Sequence, residues 1–169
     1  MARFRSVLAA LVGAASLVVG SAAVASAHPS PDLVSFDSMT PVTGSAVGTV
    51  NDRGIVGGGK PWVITSASGE VDRDGAVHVT VTGLVIPVAP FNGINPVPAF
   101  GVTVSCLTPQ GGVLNLRTGT APATPTGNAT IHGTVALPHA CLHTLVFVTS
   151  PGGAWFAMSN VTVEEDDSD

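Results

Sequence analysis

Between residues 62 and 160 the apolar residues come in short alternating runs, separated by Gly, Pro, Asn and Asp. That period is a strand's, not a helix's. The clearest case is 76–86, where Val77, Val79 and Val81 alternate with His78, Thr80 and Thr82. It predicts one face in a core and one in water, and Pro87 ends it. Ahead of it, Asp72-Arg73-Asp74-Gly75 carries the Asp-Gly cue of a tight hairpin, so 68–71 should pair back. Residues 100–107 predict a strand with Val102, Val104 and Cys106 on one face, and 113–116 should return after Gly111-Gly112. Residues 129–137 place Ile131, Val135 and Leu137 together. Residues 145–149 and 154–159 predict a hairpin turning at Ser150-Pro151-Gly152-Gly153. Shorter strands are expected at 33–36, 62–65 and 161–163.

No window outside the first 27 residues has helical periodicity. Seven or eight short strands with turn-rich links predict an all-β fold, an antiparallel β-sandwich of immunoglobulin-like architecture. Three stretches read as loops: 87–98, with four prolines around Asn92-Gly93; 118–128, rich in Thr, Pro and Gly; and Gly57-Gly58-Gly59, which reads as a flexible link. The expected organisation is a signal peptide (1–27), a Gly/Pro/Ser-rich segment (28–59), the sandwich (60–163) and an acidic disordered tail (164–169).

The leader changes the picture most. Arg3 and Arg5 precede an apolar stretch over 7–24, and Ala25-Ser26-Ala27 supplies a small-residue cleavage pattern. The stretch is shorter than the ~20 apolar residues of a membrane span. The expectation is export, a secreted protein starting at His28, and no membrane association after cleavage. In that setting the only two cysteines, Cys106 and Cys141, read as a disulfide. Closing a loop of about 36 residues, it would stabilise by about 4 kcal/mol on the chain-entropy model.

Without the leader, four cations face eleven acids, a net charge of −7, and five of those acids lie in 164–169. The remaining body is nearly neutral. Four cations neutralise few phosphates, which argues against nucleic-acid partners.

Candidate chemistry is sparse. Gly54-Ile55-Val56-Gly57-Gly58-Gly59-Lys60 superficially matches a phosphate-binding loop, but Pro61 stands where the magnesium hydroxyl belongs. Glu70, Asp72 and Asp74 lack the remaining ligands of a calcium loop and read as a solvated turn. In an extended strand His139 and His143 would share a face with Cys141, and two imidazoles with a thiolate suit zinc or copper, provided the thiol is free. His28 would carry the free α-amine after cleavage. An N-terminal histidine with a second imidazole, from His78, His132, His139 or His143, makes a copper-binding histidine brace. Trp62 and Trp155 lie among apolar strand residues and read as core. Phe91 in the Pro-rich loop, with Asn92 and Phe100, makes a candidate binding surface.

Several pieces are similar to those of a group of small secreted actinobacterial proteins of unknown function with one disulfide. They are Lys60-Pro61-Trp62-Val63-Ile64, Gly83-Leu84-Val85-Ile86-Pro87, Val104-Ser105-Cys106, Leu137-Pro138-His139-Ala140-Cys141 and 147–153. The resemblance implies secretion and a one-disulfide sandwich, and carries no functional residues.

The sequence thus points to a secreted non-catalytic β-sandwich with a binding or structural role, without a cofactor. Its partners would be cell-wall material, polysaccharide or another secreted protein. The alternatives are a copper protein built on His28, either a polysaccharide monooxygenase or a copper carrier, and a secreted hydrolase inhibitor.

Overall fold

The computed structural model describes residues 31–160. The leader, His28, the expected strand at 161–163 and the acidic tail lie outside the described residues.

Nine strands form two antiparallel sheets, which is the sandwich that the alternation predicted. They are β1 (Asp32–Phe36), β2 (Met39–Pro41), β3 (Ser66–Asp72), β4 (Ala76–Thr82), β5 (Ala99–Leu107), β6 (Val113–Pro122), β7 (Ala129–Thr134), β8 (Leu142–Thr149) and β9 (Trp155–Ser159). One sheet has the order β1-β3-β4-β7, the other β2-β9-β8-β5-β6. Two packed antiparallel sheets are immunoglobulin-like as architecture, whereas the strand order is this chain's own. The β3–β4 hairpin stays within one sheet, while the immunoglobulin order splits its second and third strands between sheets.

The core lies between the sheets. Val77, Val79 and Val81 of β4 point into it, and so do Val102, Val104 and Cys106 of β5. Trp62 stacks on Phe156 with ring centroids 4.1 Å apart, and Phe100 meets both rings edge-on. Such offset and T-shaped pairs add to simple area burial. Cys106 and Cys141 are disulfide-bonded, with Cα atoms 4.8 Å apart. The bond ties β5 to the residue just ahead of β8, its neighbour in the same sheet.

Four expectations are corrected. Residues 62–65 make no strand but a single bridge, Val63 to Val85. The strand begun at Ala76 stops at Thr82, because Gly83 takes φ +68°. The strand begun at Val113 runs on to Pro122, through residues that read as loop. The largest correction concerns Gly57-Gly58-Gly59. Gly57 and Gly58 are buried, and Gly57 forms a parallel bridge to Trp155. A Cβ on Gly58 would come 2.9 Å from Trp62 Nε1 and 3.0 Å from Phe156 Cδ1. Close approach, not flexibility, is what glycine provides there.

The segment around these glycines roofs the five-stranded sheet. Arg53 is its clamp. Its guanidinium donates to the His143 carbonyl at 2.7 Å and reaches the Ser105 carbonyl and hydroxyl at 3.4 Å. The Arg53 carbonyl accepts from Asn115 Nδ2 at 2.7 Å. One residue thereby spans β8, β5 and β6, and its partial burial pushes the guanidinium pKa down from its ordinary value. Under this roof Thr103, Ser105 and Thr149 are buried although they face away from the sandwich interior.

Candidate functional site

Among the described residues, no segment roofs the four-stranded sheet in this way. Strict alternation in β3, β4 and β7 sends every second side chain outward. Register then aligns them in rows. Glu70, His78 and His132 stand opposite one another across three strands, and Ser68, Thr80 and Thr130 form the next row. Ser35 of β1 lies beside Glu70. The result is an exposed face of hydroxyls, two imidazoles and a carboxylate.

The closest grouping is at the first row. The imidazoles of His78 and His132 stack with centroids 4.3 Å apart and planes 18° from parallel. His78 Nδ1 lies 3.9 Å from Glu70 Oε1, with both side chains about half exposed. That separation is an ion-pair distance rather than a hydrogen bond. In the next row the Thr80 hydroxyl sits 3.4 Å from that of Thr130. Shallow depressions flank the rows. One of about 200 Å³ is lined by Glu70, Asp72, His78 and His132, and another of about 290 Å³ by Ser35, Ser68, Glu70 and Thr80.

The Pro-rich loop is the second candidate. Asn95 orders it from within. This side chain is 5 % exposed, donates to the carbonyls of Val97 and Thr124 at 2.8 and 2.9 Å, and accepts from Val97 N–H at 2.9 Å. Phe91 is half-buried against the core, and Asn92 is exposed at φ +48°. Phe100 is fully buried between Trp62 and Phe156, so it is withdrawn from the candidate binding surface: its β5 position faces the core. Val88 and Ile94 are the exposed apolar residues of this loop.

The His139-to-His143 stretch is not an extended strand over its whole length. Strand β8 begins only at Leu142, and His143 takes φ +45°, so alternation fails between the two imidazoles. Cys141 is oxidised in the disulfide and offers no thiolate. His139 sits exposed at a recess of about 360 Å³ that Leu33 and Arg73 also line. The Arg73 N–H donates to the Pro31 carbonyl at 3.1 Å. Among the described residues, no three His, Cys, Asp or Glu side chains converge as a ready metal cluster.

Reading the sequence placed His78, Thr80 and Thr82 on a wet face, where they are. It missed the stacking of His78 on His132, which depends on the β4–β7 register, and it missed Arg53 and Asn95 as organising side chains. No known protein family, curated protein or solved structure matches this chain.

Proposed function

We propose that the protein is a secreted, non-catalytic β-sandwich that works by binding at the cell surface or in the surrounding medium, through the outer face of β1-β3-β4-β7. One observation carries this reading. Among the described residues, the chain covers one outer face with its own segment and leaves the other exposed and polar. Exposed rows of hydroxyl and imidazole groups suit an extended hydroxyl-rich partner such as cell-wall polysaccharide, met by many shallow hydrogen bonds. Export is supported by the leader pattern and by the disulfide, a bond that persists in oxidising compartments. No helix among the described residues is long and apolar enough to cross a membrane.

The test is retention on insoluble cell-wall polysaccharide. Ser68→Gln, Thr80→Gln and Thr130→Gln together fill the face without adding charge, and are expected to abolish retention. Phe91→Ala with Asn92→Ala should leave it intact. Retention unchanged in the triple variant would sink the proposal, and loss in the loop variant alone would move the site to the Pro-rich loop.

One observation favours the histidine brace as a second reading. His139 shares its recess with Arg73, and Arg73 holds Pro31, three residues after His28. A brace on His28 and His139 loses tight copper binding when one residue is added before His28 or when His139 becomes alanine. Affinity unchanged in both variants rules it out.

A further inference from the structure

We infer that His78 and His132 form a two-imidazole chelate for a divalent first-row transition ion, copper(II) or zinc, with Glu70 as the positioning group. The inference is independent of the polysaccharide reading and of the terminal brace.

The argument starts from register. His78 and His132 are direct cross-strand partners, so their Cα atoms are fixed as neighbours by the β4–β7 ladder. Facing residues of an antiparallel pair hold their side chains close enough to interact. The rings already lie nearly parallel, 4.3 Å apart. A tetrahedral ion with metal–nitrogen bonds of about 2.0–2.1 Å needs its two nitrogens about 3.3 Å apart. As stacked, the in-plane nitrogen lone pairs of the two rings run side by side and do not converge, so each imidazole turns about χ1 and χ2 to face one ion. Both side chains are free on their solvent side and the backbone need not move, so the ordering cost is confined to two side chains.

Glu70 determines which nitrogen is available. It flanks His78 on the side away from His132, with Oε1 3.9 Å from Nδ1. A carboxylate there favours the tautomer with the proton on Nδ1, which leaves the Nε2 lone pair for the metal. Carboxylate-oriented imidazoles are a recurrent arrangement around bound metals, and loss of the outer carboxylate costs affinity about 10–100-fold. The two remaining positions on the ion are left to water or to an oxygen ligand of a partner. With two imidazoles as its protein donors, the site follows the Irving–Williams preference and takes copper(II) most tightly among the common ions. His78 and His132 pack no core, and no hydrogen bond joins either ring to another side chain among the described residues.

The test is a copper(II) titration of the full chain carrying His28→Ala, His139→Ala and His143→Ala, which leaves His78 and His132 as its only imidazoles. Electron paramagnetic resonance identifies the donors. The expected result is one copper bound with two equivalent nitrogens. Adding either His78→Ala or His132→Ala should weaken binding at least tenfold and leave one nitrogen. Glu70→Gln should weaken binding about tenfold with the two-nitrogen signature retained, which separates orientation from ligation. Circular dichroism checks that each variant keeps its strand signal. Binding that is the same with and without His78 and His132, or a signature of oxygen donors alone, overturns the inference.

Discussion

The two outer faces of this sandwich began from the same pattern and ended differently. Thr103 and Ser105 alternate with Val102, Val104 and Cys106 in β5 just as His78, Thr80 and Thr82 alternate with valines in β4. In β4 the polar residues meet water. In β5 they are buried beneath the segment clamped by Arg53. Alternation therefore reports which side chains face away from the interior, and not whether water is what they meet. An outward position becomes a binding surface only where the rest of the chain leaves it uncovered.

The comparison can be broken first at the disulfide. Cys141 lies two residues from the His143 carbonyl that Arg53 holds, so the bond fastens the floor of the roofed side. Replacing both cysteines with serine should cost about 2–4 kcal/mol in urea unfolding. Hydrogen exchange should quicken in β5, β8 and the roof before it does in β4 and β7. Equal acceleration in both sheets would mean that the roof is no separate unit.

A smaller effect is expected from Gly57→Val, whose Cβ runs into the Ala46 carbonyl and crowds Val42. Backbone cannot yield as a flexible side chain does, so a loss of about 1–3 kcal/mol is expected, read as a lower melting temperature. A truly flexible link would tolerate the same change without loss. Next comes Arg53→Ala. It strips the hydrogen-bond partner from the Ser105 and His143 carbonyls and should cost about 1–2 kcal/mol. It should also expose Thr103 and Ser105 amides to exchange. On the bare face, Ser68→Ala and Thr130→Ala should each stay within about 0.5 kcal/mol of the parent, because no partner depends on them for its burial. A larger loss there would show that the face is structural, and would weaken its assignment as a binding surface.

What was legible in the sequence follows the same division. The β3–β4 hairpin is written locally, in alternating valines and an Asp-Gly turn, and it folds as read. The second half of β6 was not legible. Thr118-Gly119-Thr120-Ala121-Pro122 has no apolar stripe, and it is a strand because its backbone pairs with Ala99 to Gly101 of β5. The roof was still less visible. Its glycines and serines have weak local preference, and its order comes from residues 52 and 90 positions away that Arg53 reaches. Among the site residues, each histidine was legible as wet, but their stacking depends on a strand register that joins positions 78 and 132. The burial of Phe100 was legible by alternation, since it lies two residues before Val102 on the same face of β5; only its aromatic partners, Trp62 and Phe156, were not.

The pairing of β2 with β9, and of Gly57 with Trp155, has a consequence in time. A chain is delivered from its N-terminus, at about 5–20 residues per second during synthesis. The early segment that will become the roof must wait, unsatisfied, until nearly the last strand has emerged. A topology that joins its beginning to its end cannot close halfway, and long-range strand pairing of this kind is slow to form. Such a molecule stays threadable for as long as it is being delivered, and becomes compact only once its last strands are free to pair.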